Sequence, residues 1–189
     1  SDNPPTSHTL SLTVNDGTDT SATQSIVVNI TPENEPPNLT INNGTALAYT
    51  ENNVATQLDA AATITDAEQD WNTGTLAVQI TANNEATDTL SIMTVNNVTL
   101  VGTDVRVSGT SIGTASATSV TNNTAMTITF NGSASDADVQ EVIRAIGYNN
   151  TSDNPSTNQR TVTFTTTDAS GDSDAGSTAT RDIAVTAFN

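Results

Sequence analysis

The chain has 189 residues, with 21 acidic against 4 basic side chains and a formal net charge of −17 at pH 7. That charge argues against nucleic acid and anionic membrane as partners, since both would repel it, and makes cations its natural counterpart. Cysteine and lysine are absent, which excludes a disulfide framework, and threonine at roughly a fifth of the residues suits solvated strands better than helices.

The first residues alternate. Leu10, Leu12 and Val14 share one face and Ser11 and Thr13 the other; after an Asn15-Asp16-Gly17 turn, Ile26, Val28 and Ile30 repeat the pattern, so a hairpin with one face meant for burial is expected. Pro32-Glu33-Asn34-Glu35-Pro36-Pro37 follows, and its prolines cannot sit in a central strand. A domain boundary is therefore expected here, with residues 1–37 as a hairpin plus linker and 38–189 as one complete repeat.

Beyond the linker, strands are expected near 39–41, 56–60, 74–81, 89–95, 99–101, 105–107, 126–130, 161–166 and 183–187, separated by Asn, Gly and Asp turns. Short strands at this spacing indicate an all-β, two-sheet sandwich. Residues 135–146 break the pattern with a serine cap at Ser135, acids at Asp136 and Asp138, an apolar stripe of Val139, Val142, Ile143 and Ile146, and a stop at Gly147. This predicts one short amphipathic helix covering an end of the core.

The two ends of the chain are copies of one another. Ser1-Asp2-Asn3-Pro4 returns as Ser152-Asp153-Asn154-Pro155, and His8 to Asp16 matches Arg160 to Asp168. Matching residue by residue, Ser25 to Ile30 aligns with Asp182 to Ala187. A period this long is a whole domain, so the chain is expected to start in the last hairpin of one repeat and to run through the next. An internal piece of a longer protein is also expected to lack a signal peptide, a long apolar run and a lipidation motif, as this one does.

The residues that carry chemistry are acids. Asp66-Ala67-Glu68-Gln69-Asp70 puts three carboxylates at alternate positions after the apolar Ile64, a pattern able to converge on one hard cation. An EF-hand is rejected because Trp71 stands where glycine is required and Ala77 where the bidentate glutamate is required. Further oxygen ligands are offered by Glu33, Asn34 and Glu35 in the linker, by Glu51 before the next strand, and by Asp168 with Asp172 and Asp174 beyond the late strand. With so few basic residues, crowded carboxylates need a cation, and calcium is the expected one.

These segments resemble known families. Glu33-Asn34-Glu35-Pro36-Pro37-Asn38-Leu39 has the spacing of the cadherin linker Asn-Asp-Asn-x-Pro-x-Phe, with Thr31 in place of its upstream aspartate. Asp66-Ala67-Glu68 looks like the cadherin Asp-x-Asp motif, Glu51 like its early glutamate, and Asp168 like its later aspartate. The segments Ile128 to Asn131, Val139 to Ile146, Tyr148 to Pro155 and Arg160 to Phe164 resemble the cadherin-like, Ig-like tandem repeats of giant bacterial surface adhesins of the RTX type. The resemblance implies a cadherin-like sandwich made rigid by Ca2+, extracellular placement on a Gram-negative cell surface in biofilm adhesion, and export by type I secretion. Neighbouring repeats of the same polypeptide are the partners it implies.

An enzyme is not expected. The single histidine, His8, begins a strand of the incomplete copy, and no cysteine or lysine supplies a nucleophile or base. The competing reading is a recognition module for sugar, peptide or ice, suggested by a ladder of Thr161, Thr163 and Thr165, although solvated strands commonly alternate threonine. At this charge the fragment is expected to be monomeric and not inserted in a membrane.

Overall fold

A computed structural model of the chain describes residues 5–31, 34–169 and 176–188. They belong to two compact units, Ser1–Glu35 and Pro36–Asn189.

The first unit is a hairpin of β1 (Ser7–Leu12) and β2 (Gln24–Asn29), paired antiparallel with His8 opposite Val28, Leu10 opposite Ile26 and Leu12 opposite Gln24. Alternation therefore places Leu10, Leu12, Ile26 and Val28 on one face. All residues of both strands are nevertheless exposed. The connecting loop is held by its own side chains: Asn15 Oδ1 accepts from the Gly17 N–H at 2.7 Å, and Asp16 Oδ1 accepts from Thr18 and Asp19.

The second unit begins with β3 (Asn38–Thr40), β4 (Leu47–Thr50), β5 (Thr56–Gln57), β6 (Thr63–Thr65), β7 (Thr75–Ala82) and β8 (Asp88–Ile92). It continues with β9 (Val98–Val101), β10 (Asp104–Val107), β11 (Thr110–Ala115), β12 (Ser119–Thr121) and β13 (Met126–Phe130). After α1 (Asp136–Arg144) come β14 (Ile146–Asn150), β15 (Arg160–Thr167) and β16 (Ser177–Thr186). An eight-stranded sheet, in the order β4-β16-β15-β7-β13-β11-β10-β9, packs as a sandwich with a four-stranded sheet, β12-β8-β14-β5, and a small β3-β6 pair completes it. The all-β class with one helix is as expected.

The core follows the two-residue period of the strands. Leu76, Val78 and Ile80 of β7, Leu90 and Ile92 of β8, Ile128 and Phe130 of β13, and Val162 and Phe164 of β15 all turn inward and are buried. Each such side chain contributes about 1.5–3 kcal/mol by leaving water. Tyr49 and Tyr148 meet edge to face at 4.9 Å, as do Trp71 and Phe130 at 5.7 Å.

Two arginines are buried with the apolar residues, each held by several hydrogen bonds. Arg160 pairs with Asp88 at 3.2 Å and Glu85 at 2.7 Å and donates to the Asn158 carbonyl at 2.7 Å, while Asp88 also accepts from Tyr148 and Asn150. Arg181 donates to the carbonyls of Leu58, Thr45 and Asn42. These contacts clamp loops to strand ends, so the scarce positive charge braces the backbone.

The helix is capped as its sequence predicts: Ser135 and Asp138 form a capping box, and Val139, Val142 and Ile143 are buried against β6 and β10. It ends earlier than expected. Ala145 is the C-cap and Ile146 is already in β14, so Gly147 is not a helix stop. Gly147 serves close packing instead, since a Cβ there would lie 2.3 Å from the Met93 sulfur. Strands β4, β6, β11, β12 and β14 were not expected; they are short or carry Gly and Asn, which hides their period.

The register also corrects the alignment of the two hairpins. His8 faces Val28 as Arg160 faces Ile183, which matches Val28 with Ile183 rather than with Val185. The second strand is thus displaced by two residues from the match by sequence, a shift that keeps every side chain on its own face.

Candidate metal centre

The chain segment after β6 and the segment after β15 meet beside the start of β7. The Ala169 N–H donates to the Asp70 carbonyl at 2.9 Å, and the Gly74 N–H to the Trp71 carbonyl at 2.9 Å. Gly74 is what permits the approach, because a Cβ there would lie 2.8 Å from the Thr167 carbonyl oxygen. Gln69 takes the left-handed conformation, φ 54°, which turns the 66–70 loop back on itself.

Three carboxylates converge as a result: one oxygen each from Asp66, Asp70 and Asp168 lies within 4.8 Å of the others. Calcium–oxygen distances are about 2.3–2.6 Å, so points on one such coordination sphere are at most about 5 Å apart. The spacing therefore fits a single calcium ion. All the donors are oxygen, which suits a hard cation and not zinc, whose sites are built with nitrogen and sulfur.

Asp66, Asp70 and the nearby Glu68 are also left with lone pairs unused. Asp66 is 4% exposed, and its Oδ1 accepts from the Glu68 N–H at 3.2 Å, but Asp66 Oδ2 has no hydrogen-bond partner. Asp70 Oδ1 and both carboxylate oxygens of Glu68 are likewise buried without partners. Burial, together with the charges of Asp70, Asp168 and Asp136, pushes Asp66 up to about pH 6, and burial followed by Asp168 also raises Asp70. Glu68 adds to the negative potential at Asp70.

Basic side chains do not relieve this crowding. Arg106 pairs with Asp104, Arg144 with Glu141 and the Ala62 carbonyl, Arg160 with Glu85 and Asp88, and Arg181 with backbone carbonyls. Asp136 is engaged too, as a support. Its Oδ2 accepts from the Asp66 N–H at 3.0 Å and its Oδ1 from the Trp71 indole at 2.8 Å. In the sequence Asp136 is only a first-turn acid of the helix, and no local pattern marks it as a neighbour of the 66–71 loop.

Not all of the expected ligands meet here. Glu51 follows β4, and its N–H donates to the Thr186 carbonyl at the end of β16, whereas the Asp66 cluster lies near the start of that strand. Ten residues of extended strand span about 30 Å, so Glu51 is at the opposite end of the sandwich. Asn34 and Glu35 belong to the Ser1–Glu35 unit, where the Asn34 amide donates to the Glu35 carbonyl at 3.4 Å. Glu33, Asp172 and Asp174, and the repeated Ser1 to Pro4, lie outside the described residues. The threonine ladder is already engaged, Thr161 to Asp182, Thr163 to Thr81 and Thr165 to Thr178.

Fold and site together define a β-sandwich with a carboxylate cluster at one end. Comparison with protein-family models, curated proteins and solved structures gave no match.

Proposed function

We infer that the Pro36–Asn189 unit is a calcium-binding structural repeat, an extender of a large extracellular adhesin that carries a distal binding region away from the cell. The observation that supports it is the convergence of Asp66, Asp70 and Asp168, with buried oxygens of Asp66, Asp70 and Glu68 unpartnered and all four arginines used elsewhere. Without a cation, two carboxylates at such spacing repel by roughly 3 kcal/mol at an effective dielectric constant of about 20.

Asp66, Asp70 and Asp168 would hold the ion, with Glu68 completing an oxygen shell. The ion supplies positive charge where two chain segments meet; the protein supplies the backbone clip between Asp70 and Ala169 and the Asp136 support. Extracellular calcium modules bind at about 10⁻⁴–10⁻³ M, so calcium at about ten times Kd contributes about 1.4 kcal/mol. This is enough to stiffen a joint and too little to drive folding.

Thermal melting with millimolar calcium and with chelator tests this reading. A higher midpoint with calcium is expected, and equal midpoints would refute it. A glycan and peptide array separates the extender from a sugar, peptide or ice recognition module, because an extender gives no specific hits.

A further inference from the structure

The hairpin of β1 and β2 presents an exposed apolar face. Leu10, Leu12, Ile26 and Val28 are each about half exposed, and among the described residues neither outer edge of the pair carries a strand. A lone two-stranded hairpin is marginal in water, and open edges invite further strands. The chain itself shows what covers such a hairpin, because β15 and β16 are its second copy.

In that copy Leu10 and Leu12 become Val162 and Phe164, both fully buried, and Val28 becomes Ile183, also fully buried. The outer edge of β15 takes β7 in antiparallel register, with Val162 opposite Ile80 and Phe164 opposite Val78. The outer edge of β16 takes β4 in parallel register, with Ile183 opposite Leu47. Burial of the face and occupation of both edges come from one continuous segment of chain, residues 36–151.

We propose that β1 and β2 form the closing hairpin of a second sandwich, and that its occupant is a polypeptide segment folded as residues 36–151 are. This segment adds a β7-like strand antiparallel to β1 and a β4-like strand parallel to β2. A second copy of the whole chain is not a suitable occupant, because its own β15 and β16 fill the acceptor position and its −17 charge repels an equal charge. The proposal rests on the duplicated hairpin and not on the calcium reading.

The test places a second copy of residues 36–151 directly before Ser1 of the intact 189-residue chain. The junction reproduces natural sequence, since Thr151 precedes Ser152-Asp153-Asn154-Pro155 and would now precede Ser1-Asp2-Asn3-Pro4. Hydrogen exchange of peptides covering β1 and β2 is compared with that of the parent chain, in calcium and in chelator. Protection increased about 100-fold or more, removed by Leu10→Asp, is expected in both conditions. Because His8 stands where the buried Arg160 pairs with Asp88 and Glu85, a second fusion carrying His8→Arg restores that ion pair. Unchanged exchange of the hairpin in both fusions overturns the proposal. So does protection in the parent chain that grows with concentration alongside a dimer in sedimentation, which would make a second copy the occupant.

Discussion

The indole N–H of Trp71 donates to Oδ1 of Asp136 at 2.8 Å, joining the acidic loop to the first residue of the helix. The other oxygen of the same carboxylate takes the Asp66 N–H at 3.0 Å, so one side chain sets the position of the most buried acid in the cluster. Trp71→Phe keeps most of the packing against Phe130 but leaves Asp136 Oδ1 without its donor. A loss of about 1–3 kcal/mol in urea unfolding is expected. Calcium affinity should fall in the same variant, as read by isothermal titration.

Asp66→Asn removes a buried negative charge from beside Asp70 and Asp168. In chelator the variant should melt at or above the wild-type temperature, since repulsion and the cost of burying a charge are both relieved. In calcium it should melt below wild type, because a ligand is gone. Opposite signs under the two conditions are the signature sought; a loss of stability in both would mean the carboxylate has a structural role unrelated to metal.

The pH dependence follows from the same residue. Asp66 rises from 3.8 to about 6 on folding, so between those values the folded state holds a proton that the unfolded chain has released. Metal-free stability contributed by this group is therefore greatest below pH 3.8, declines as pH rises toward 6, and levels off above it. Calcium requires the deprotonated form, so the calcium-induced rise in melting temperature should be large at pH 7.5 and should shrink at pH 5, where affinity falls about tenfold per competing proton. Melting curves at the two pH values, with and without calcium, measure both trends.

Glu51 offers a control within the same unit. Its position beside Thr186 separates it from the cluster near the start of β16. Glu51→Gln is expected to leave calcium affinity at the Asp66 cluster within about twofold of wild type. A tenfold loss in titration would show that the two ends are coupled.

Arg160→Met tests the buried network. It strands Asp88, which is fully buried, and frees Glu85, at a cost of about 3–5 kcal/mol. Urea unfolding should show this loss, while the calcium-induced increment in stability remains.

Much of this protein is written in short-range pattern. Alternation at Leu76, Val78 and Ile80, or at Val162 and Phe164, identifies strands and their inward faces because side chains of an extended chain alternate by geometry. The Ser135 cap is local for the same reason, as is the convergence tendency of Asp66, Glu68 and Asp70, which lie on one loop. Composition alone makes cations the expected counterpart of so acidic a chain.

Contacts between distant segments are a different matter. That Asp168 meets Asp66 and Asp70, while Glu51 stands at the far end, depends on β15 pairing with β7 and on β4 running parallel to β16. No local period encodes those pairings; they are set by which sheet edges find partners as the core closes. The same holds for Asp136, whose role as a support arises only because the helix packs beside β6. The duplicated hairpin is legible as a repeat in sequence, but only the packed copy shows which face is covered and which two edges must be filled, because burial is a property of the assembled sandwich and not of the strand.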